Sequence, residues 1–185
     1  MSRAASTASL RNRLRRFRRS QRGSTAVEFA LVAPVFFALL FAIVETALVF
    51  FASQVLETVT QESARQIMTG QAQAALLSQA DFKTKVVCPP GSLASVLFGS
   101  TCTNLYIDVE SYPAFTNVTI NSQINAGSNF VPPTGYSLGT GGNIVVVRMF
   151  YQWPLFVTGF GYNISNLVGN QRLLVATAAF KNEPF

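Results

Sequence analysis

Histidine is absent from all 185 residues. Its absence removes the side chain most used for general acid–base catalysis and the commonest metal ligand. With no nucleophile constellation in view either, no enzymatic step and no cofactor are expected. Cysteine is scarce, occurring only as Cys88 and Cys102. The pair reads either as a disulfide stapling a small domain in an oxidising compartment or as two separate buried thiols. Acidic residues are missing from the first 23 positions, where eight arginines stand: Arg3, Arg11, Arg13, Arg15, Arg16, Arg18, Arg19 and Arg22. Beyond Gly23, six basic residues face eight acidic ones. The net charge of +6 therefore belongs to the N-terminal arm. A folded basic face is not in sight, so nucleic acid is not an expected partner. Nor is there a phosphate loop, because the glycines at 139, 141 and 142 follow no strand and precede no Lys-Ser/Thr.

What the chain does have is one long apolar run. Residues 29–52 read FALVAPVFFALLFAIVETALVFFA, interrupted only by Pro34 and by Glu45-Thr46. As a helix this run is about 36 Å long, enough to cross a hydrocarbon core of about 30 Å with some tilt. The arginines lie on one side of it, and the next basic residue on the other side is Arg65. The positive-inside rule then places the N-terminus in the cytoplasm and the rest beyond the membrane. A secretory signal peptide has a shorter apolar core, of about 7–15 residues, ending in a small-residue cleavage site. The arginine- and serine-rich start would suit a mitochondrial transit peptide, but it ends directly against the span.

Past the span, residues 53–80 keep apolar side chains at helical spacing, namely Val55, Leu56, Val59, Ile67 and Met68, with Glu62 and Arg65 placed to pair. Gly70 weakens this stretch, and Cys88-Pro89-Pro90-Gly91 ends any helix. Four strands are expected after it, at 105–110, 117–121, 143–152 and 173–181. The third is apolar on both faces apart from Arg148, which marks a central strand. Ala176, Ala178 and Ala179 in the fourth would admit a helix at close range. Asp108 and Glu110 point away from Leu105, Ile107 and Val109; they read as a solvated strand face or as two contacts to a cation. Residues 126–142 form a long glycine- and proline-rich loop. The expected fold is α+β, a long N-terminal transmembrane helix extending into the periplasm and packed on a small antiparallel sheet. Its parts are a basic cytoplasmic leader (1–23), the helix (24–80, span 29–52) and a β-rich head (81–185).

At the start of the run stand Arg22-Gly23-Ser24-Thr25-Ala26-Val27-Glu28-Phe29, a glycine followed after four residues by Glu-Phe and apolar sequence. This resembles the processing site of type IV pilin precursors, and more closely the form found in Tad (Flp) pilus pseudopilins. The stretch RGSTAVEFALVAPVFFALLFAIVETALVFFASQ resembles the N-terminal domain of the TadE-like family, and LLVATAAFKNEPF resembles that family's closing strand. The resemblance implies a bacterial inner-membrane protein cut by a prepilin peptidase between Gly23 and Ser24. It further implies partnership with other Tad pilins or pseudopilins and with the pilus assembly platform. Glu28 is then either a charge tolerated at the membrane boundary or the partner of a mature N-terminal amine, its own or a neighbour's, when helices pack. Glu45 is either a snorkelling acid or a second helix-pairing residue. Outside this family, a membrane-anchored periplasmic binding module unrelated to any filament would fit the same topology.

Overall fold

The computed structural model describes residues 23–159 and 161–185. The arginine-rich leader up to Arg22 lies outside the described residues. One helix, α1, runs Ser24–Met68 and is long and apolar enough to cross a membrane. The chain divides into two compact units at residues 44 and 45.

In the first unit the described residues are the opening of α1. Its large apolar side chains face outward, including Phe29, Leu31, Val32, Phe36 and Leu39. Pro34 stands inside the helix and lacks the N–H that would close one backbone bond. A helix exposing apolar groups in this way suits lipid or other helices rather than water.

The second unit is built on residues 45–68 of α1. Three antiparallel strands follow, β1 (Leu105–Tyr112), β2 (Ile144–Pro154) and β3 (Gln171–Lys181), in the order β1-β2-β3. The central position of β2 is the one its two apolar faces require. Val145, Val147, Met149 and Tyr151 face Val49, Ala52, Val55, Leu56 and Ile67 of α1 in one core, which Leu174 and Ala176 of β3 complete. On the opposite face Phe150 packs with Leu167 and Leu173 under Tyr106, Ile124 and Phe130. Ala176 and Ala178 are buried, whereas Ala179 falls on the exposed side because strand side chains alternate.

Helix α1 is shorter than the periodicity predicts. It stops at Met68 because Gly70 adopts a left-handed conformation, with φ of 76°. A Cβ on Gly70 would also lie 2.6 Å from the ring of Phe185, so both backbone and space demand glycine here. Short helices α2 (Gln71–Ala74), α3 (Gln79–Phe82) and α4 (Leu93–Leu97) follow, with a π-helical turn at Lys83–Val87 that ends at Cys88. Among the described residues Glu62 and Arg65 form no ion pair; the surface pair is Asp81–Lys85, at 2.8 Å.

The expected strand at 117–121 is not formed. Residues Phe115–Asn117 make a 3-10 turn, and Ile120 is exposed. Side chains take the carbonyls a ladder would need: Tyr112 donates to Thr119 O at 3.1 Å and Arg148 to Asn121 O at 2.8 Å. The free edge of β1 is covered instead by the glycine- and proline-rich loop. There Val109 N–H donates to Gly135 O and Ser137 N–H to Val109 O, at 3.1 and 2.8 Å. That loop therefore blunts an edge open to unwanted strand pairing.

Cys88 and Cys102 are joined in a disulfide. The closed loop carries α4 and adds Ala94 and Phe98 to the core without contributing a strand. For a loop with ends 14 residues apart, opening the bond is expected to cost about 3 kcal/mol. Denaturant titration of the intact chain in detergent, with and without a thiol reductant, measures this. Coincident curves would show that the core stands without the bridge.

Candidate functional site

The segment that carries the expected processing motif, Gly23 to Phe29, opens α1. Gly23 is exposed, and a Cβ built on it would meet nothing within 4 Å. Neither crowding nor a left-handed φ accounts for glycine at this position, in contrast to Gly70. Helix α1 begins at Ser24, and Glu28 and Phe29 are exposed in its opening turns. Ser24 and Glu28 are four residues apart, one turn, so they share a helix face about 6 Å apart along the axis. A new amine at Ser24 would thus fall within reach of the Glu28 carboxylate.

Glu45 occupies a different setting from the one its neighbours in sequence suggest. Only 5% of its surface is exposed, and its carboxylate accepts the backbone N–H groups of Phe156 and Val157. Beside it, the hydroxyls of Thr46 and Tyr162 are hydrogen-bonded at 2.6 Å. An acid in an apolar helix is here engaged by two donors of its own chain, 111 and 112 residues away. Periodicity along α1 holds no sign of that partner.

On the outer face of the sheet, Asp108 is not solvated. It is 2% exposed and sits opposite Arg148 in the β1–β2 register. Arg148 Nε donates to Asp108 Oδ2 at 2.9 Å and Nη2 donates to the same oxygen. Burial raises the Asp108 carboxyl above the ordinary carboxylate range, against the opposing pull of the guanidinium. Gly135 passes so close that a Cβ there would stand 2.6 Å from Asp108 Oδ1. Glu110 instead accepts a hydrogen bond from the hydroxyl of Tyr112, which raises that phenol above its usual value. Each acid thus has its own partner, Arg148 for Asp108 and Tyr112 for Glu110, and both carboxylates border the backbone of Gly135, where a Cβ would also stand 3.3 Å from Glu110 Oε1. The signal for this pair was available in the sequence, since an arginine in a doubly apolar strand requires a counter-charge.

The C-terminal tail locks α1 to the sheet. Buried Asn182 donates to the carbonyls of Leu138 and Thr140 at 3.0 and 3.2 Å, holding the glycine-rich loop. Glu183 N–H then donates to Met68 O at 2.9 Å, satisfying an orphan carbonyl at the helix end, while Phe185 covers Gly70. Burial of Tyr136, whose hydroxyl donates to Leu77 O at 3.0 Å, pushes its phenol up to about 12. Between α1 and the segment around α4 lies a mostly apolar groove of about 430 Å³, lined by Val55, Val59, Val86 and Leu93 among others.

Compared with known proteins, residues 23–65 match the family model described as TadE-like protein. That match contains Gly23, Glu28, Phe29 and Glu45, and the closing stretch after β2 lies outside it. No curated protein and no solved structure matches the chain.

Proposed function

We propose that this chain, TadE-like over residues 23–65, is a minor pilin or pseudopilin that takes part in assembly of a Tad (Flp) type pilus. The observation that carries the reading is the junction at Gly23: an unconstrained glycine, then Glu28-Phe29, then an apolar helix whose side chains face outward. In this reading a prepilin peptidase at the cytoplasmic face removes the leader, and α1 waits in the inner membrane with the head in the periplasm. Assembly exchanges lipid contacts of the exposed apolar side chains for contacts with neighbouring helices, which needs packing and not a hydrophobic driving force. The partners are the peptidase, other Tad pilins or pseudopilins and the assembly platform. The chain's contribution is structural, with no enzymatic step of its own.

Co-expression with a cognate prepilin peptidase tests this. The chain is expected to lose residues 1–23 and begin at Ser24, read by intact mass. Gly23→Glu is expected to block the cut, because it sets bulk and charge where the backbone must lie open. Full-length mass in the presence of active peptidase would overturn the pilin reading in favour of a membrane-anchored periplasmic module that keeps its leader.

A further inference from the structure

We propose that the loop at residues 155–159 is an interfacial membrane contact, seated at the boundary of headgroups and acyl chains with Phe156 in lipid. This rests on α1 being a membrane span, but not on the chain entering a filament. Four observations converge on it.

Level comes first. Glu45 precedes Ala52, the end of the apolar run, by seven residues, which is about 10 Å along the helix axis. The N–H groups of Phe156 and Val157 are bonded to the Glu45 carboxylate, so the loop is held at that height on α1. Any bilayer that covers Leu48, Phe50 and Phe51, all exposed on this stretch of α1, also reaches the loop. Composition comes second. Phe156 is 84% exposed, and the sequence from 149 to 171 holds no charged residue that would resist entry into the headgroup region. Third, the backbone suits a poorly hydrated site. Four of the loop's five N–H groups, those of Leu155, Phe156, Val157 and Gly159, have acceptors within the chain, as does that of Tyr162, which removes for each of these a cost of several kcal/mol in hydrocarbon. Fourth, Tyr162 bonds Thr46 through its hydroxyl, an amphipathic ring at the level where tyrosines gather in membrane proteins.

The arrangement also gives Glu45 a purpose. Its carboxylate fixes the loop at one depth, and the loop's two donors compensate the charge where water is scarce.

The test places a single tryptophan at the loop. The intact chain carrying Phe156→Trp and Trp153→Phe is reconstituted in phosphatidylethanolamine–phosphatidylglycerol vesicles brominated either near the headgroup or near the chain end. Expected are a blue-shifted emission, stronger quenching by the shallow bromines and little quenching by aqueous iodide. A matching chain with Leu76→Trp and Trp153→Phe, its indole at an exposed position past the far end of α1, should respond to iodide alone. If Trp153→Phe impairs folding, Phe156→Cys carrying an environment-sensitive label gives the same readout, since the native cysteines are bonded to each other. Quenching of the Phe156→Trp indole by iodide but not by bromolipid would overturn the proposal. Protection from both would overturn it too, by showing a protein neighbour over the loop. A chain that fails to float with the vesicles would overturn the membrane span itself, a result separable from the other two.

Discussion

Arg148→Ala is expected to lower the unfolding free energy of the head by about 3–5 kcal/mol, since it leaves Asp108 as an uncompensated charge in the interior. The magnitude follows from the setting. Both partners are buried, two donors of one guanidinium converge on one carboxylate oxygen, and Gly135 seals the other side. A further donor of Arg148 holds Asn121, and its guanidinium carbon stands 5.4 Å from the centre of the Phe150 ring, so truncation also loosens the strap over the outer core. Denaturant titration of the intact chain in detergent should show the midpoint fall at unchanged slope. Replacing both partners, with Asp108→Leu and Arg148→Met, should recover most of the loss, because desolvating the pair costs about as much as its attraction returns. A single substitution costing under about 1 kcal/mol would show that water reaches the pair.

Glu28→Ala is expected to leave the protein abundant and membrane-bound yet strongly reduce piliation. Removing a carboxylate from the membrane edge should not harm insertion, because charge there is a cost. Assembly is another matter. Under the proposed function, cleavage would leave the Ser24 amine one helical turn from residue 28, and in a low-dielectric bundle an unpaired amine would be expensive. Neighbouring chains present the same groups, so the pairing can form within a helix or between two. Cleavage must be followed in the same strain by intact mass, as slow processing would mimic the defect. Normal pili on cells whose only copy is Glu28→Ala would reduce Glu28 to a boundary charge. The Gly23→Glu chain, uncut and unassembled, provides the comparison that separates processing from packing.

Helix α1 and the three strands were legible because each is written in local periodicity: an apolar run, then alternation at Leu105, Ile107 and Val109, then the double-faced β2. The TadE-like stretch at residues 23–65 was legible for the same reason, being contiguous. The strand at 117–121 misled because its weak alternation had no apolar surface to cover, and side chains of Tyr112 and Arg148 claimed its carbonyls. Which acids are buried, and by what, was decided by contacts far apart in the chain. Asp108 meets Arg148 across 40 residues and Glu45 meets the 156–157 backbone across more than a hundred. Hydrophobic pattern sorts residues by the face they turn toward, and that sorting is local; a counter-charge or a backbone donor is supplied by whichever segment the completed topology brings alongside. By itself, then, the sequence determined one apolar helix, a candidate cut site before it and a small sheet after it. Only the tertiary structure decided that the acid inside the helix binds a loop of the head and that the outward acid of β1 is sealed from water.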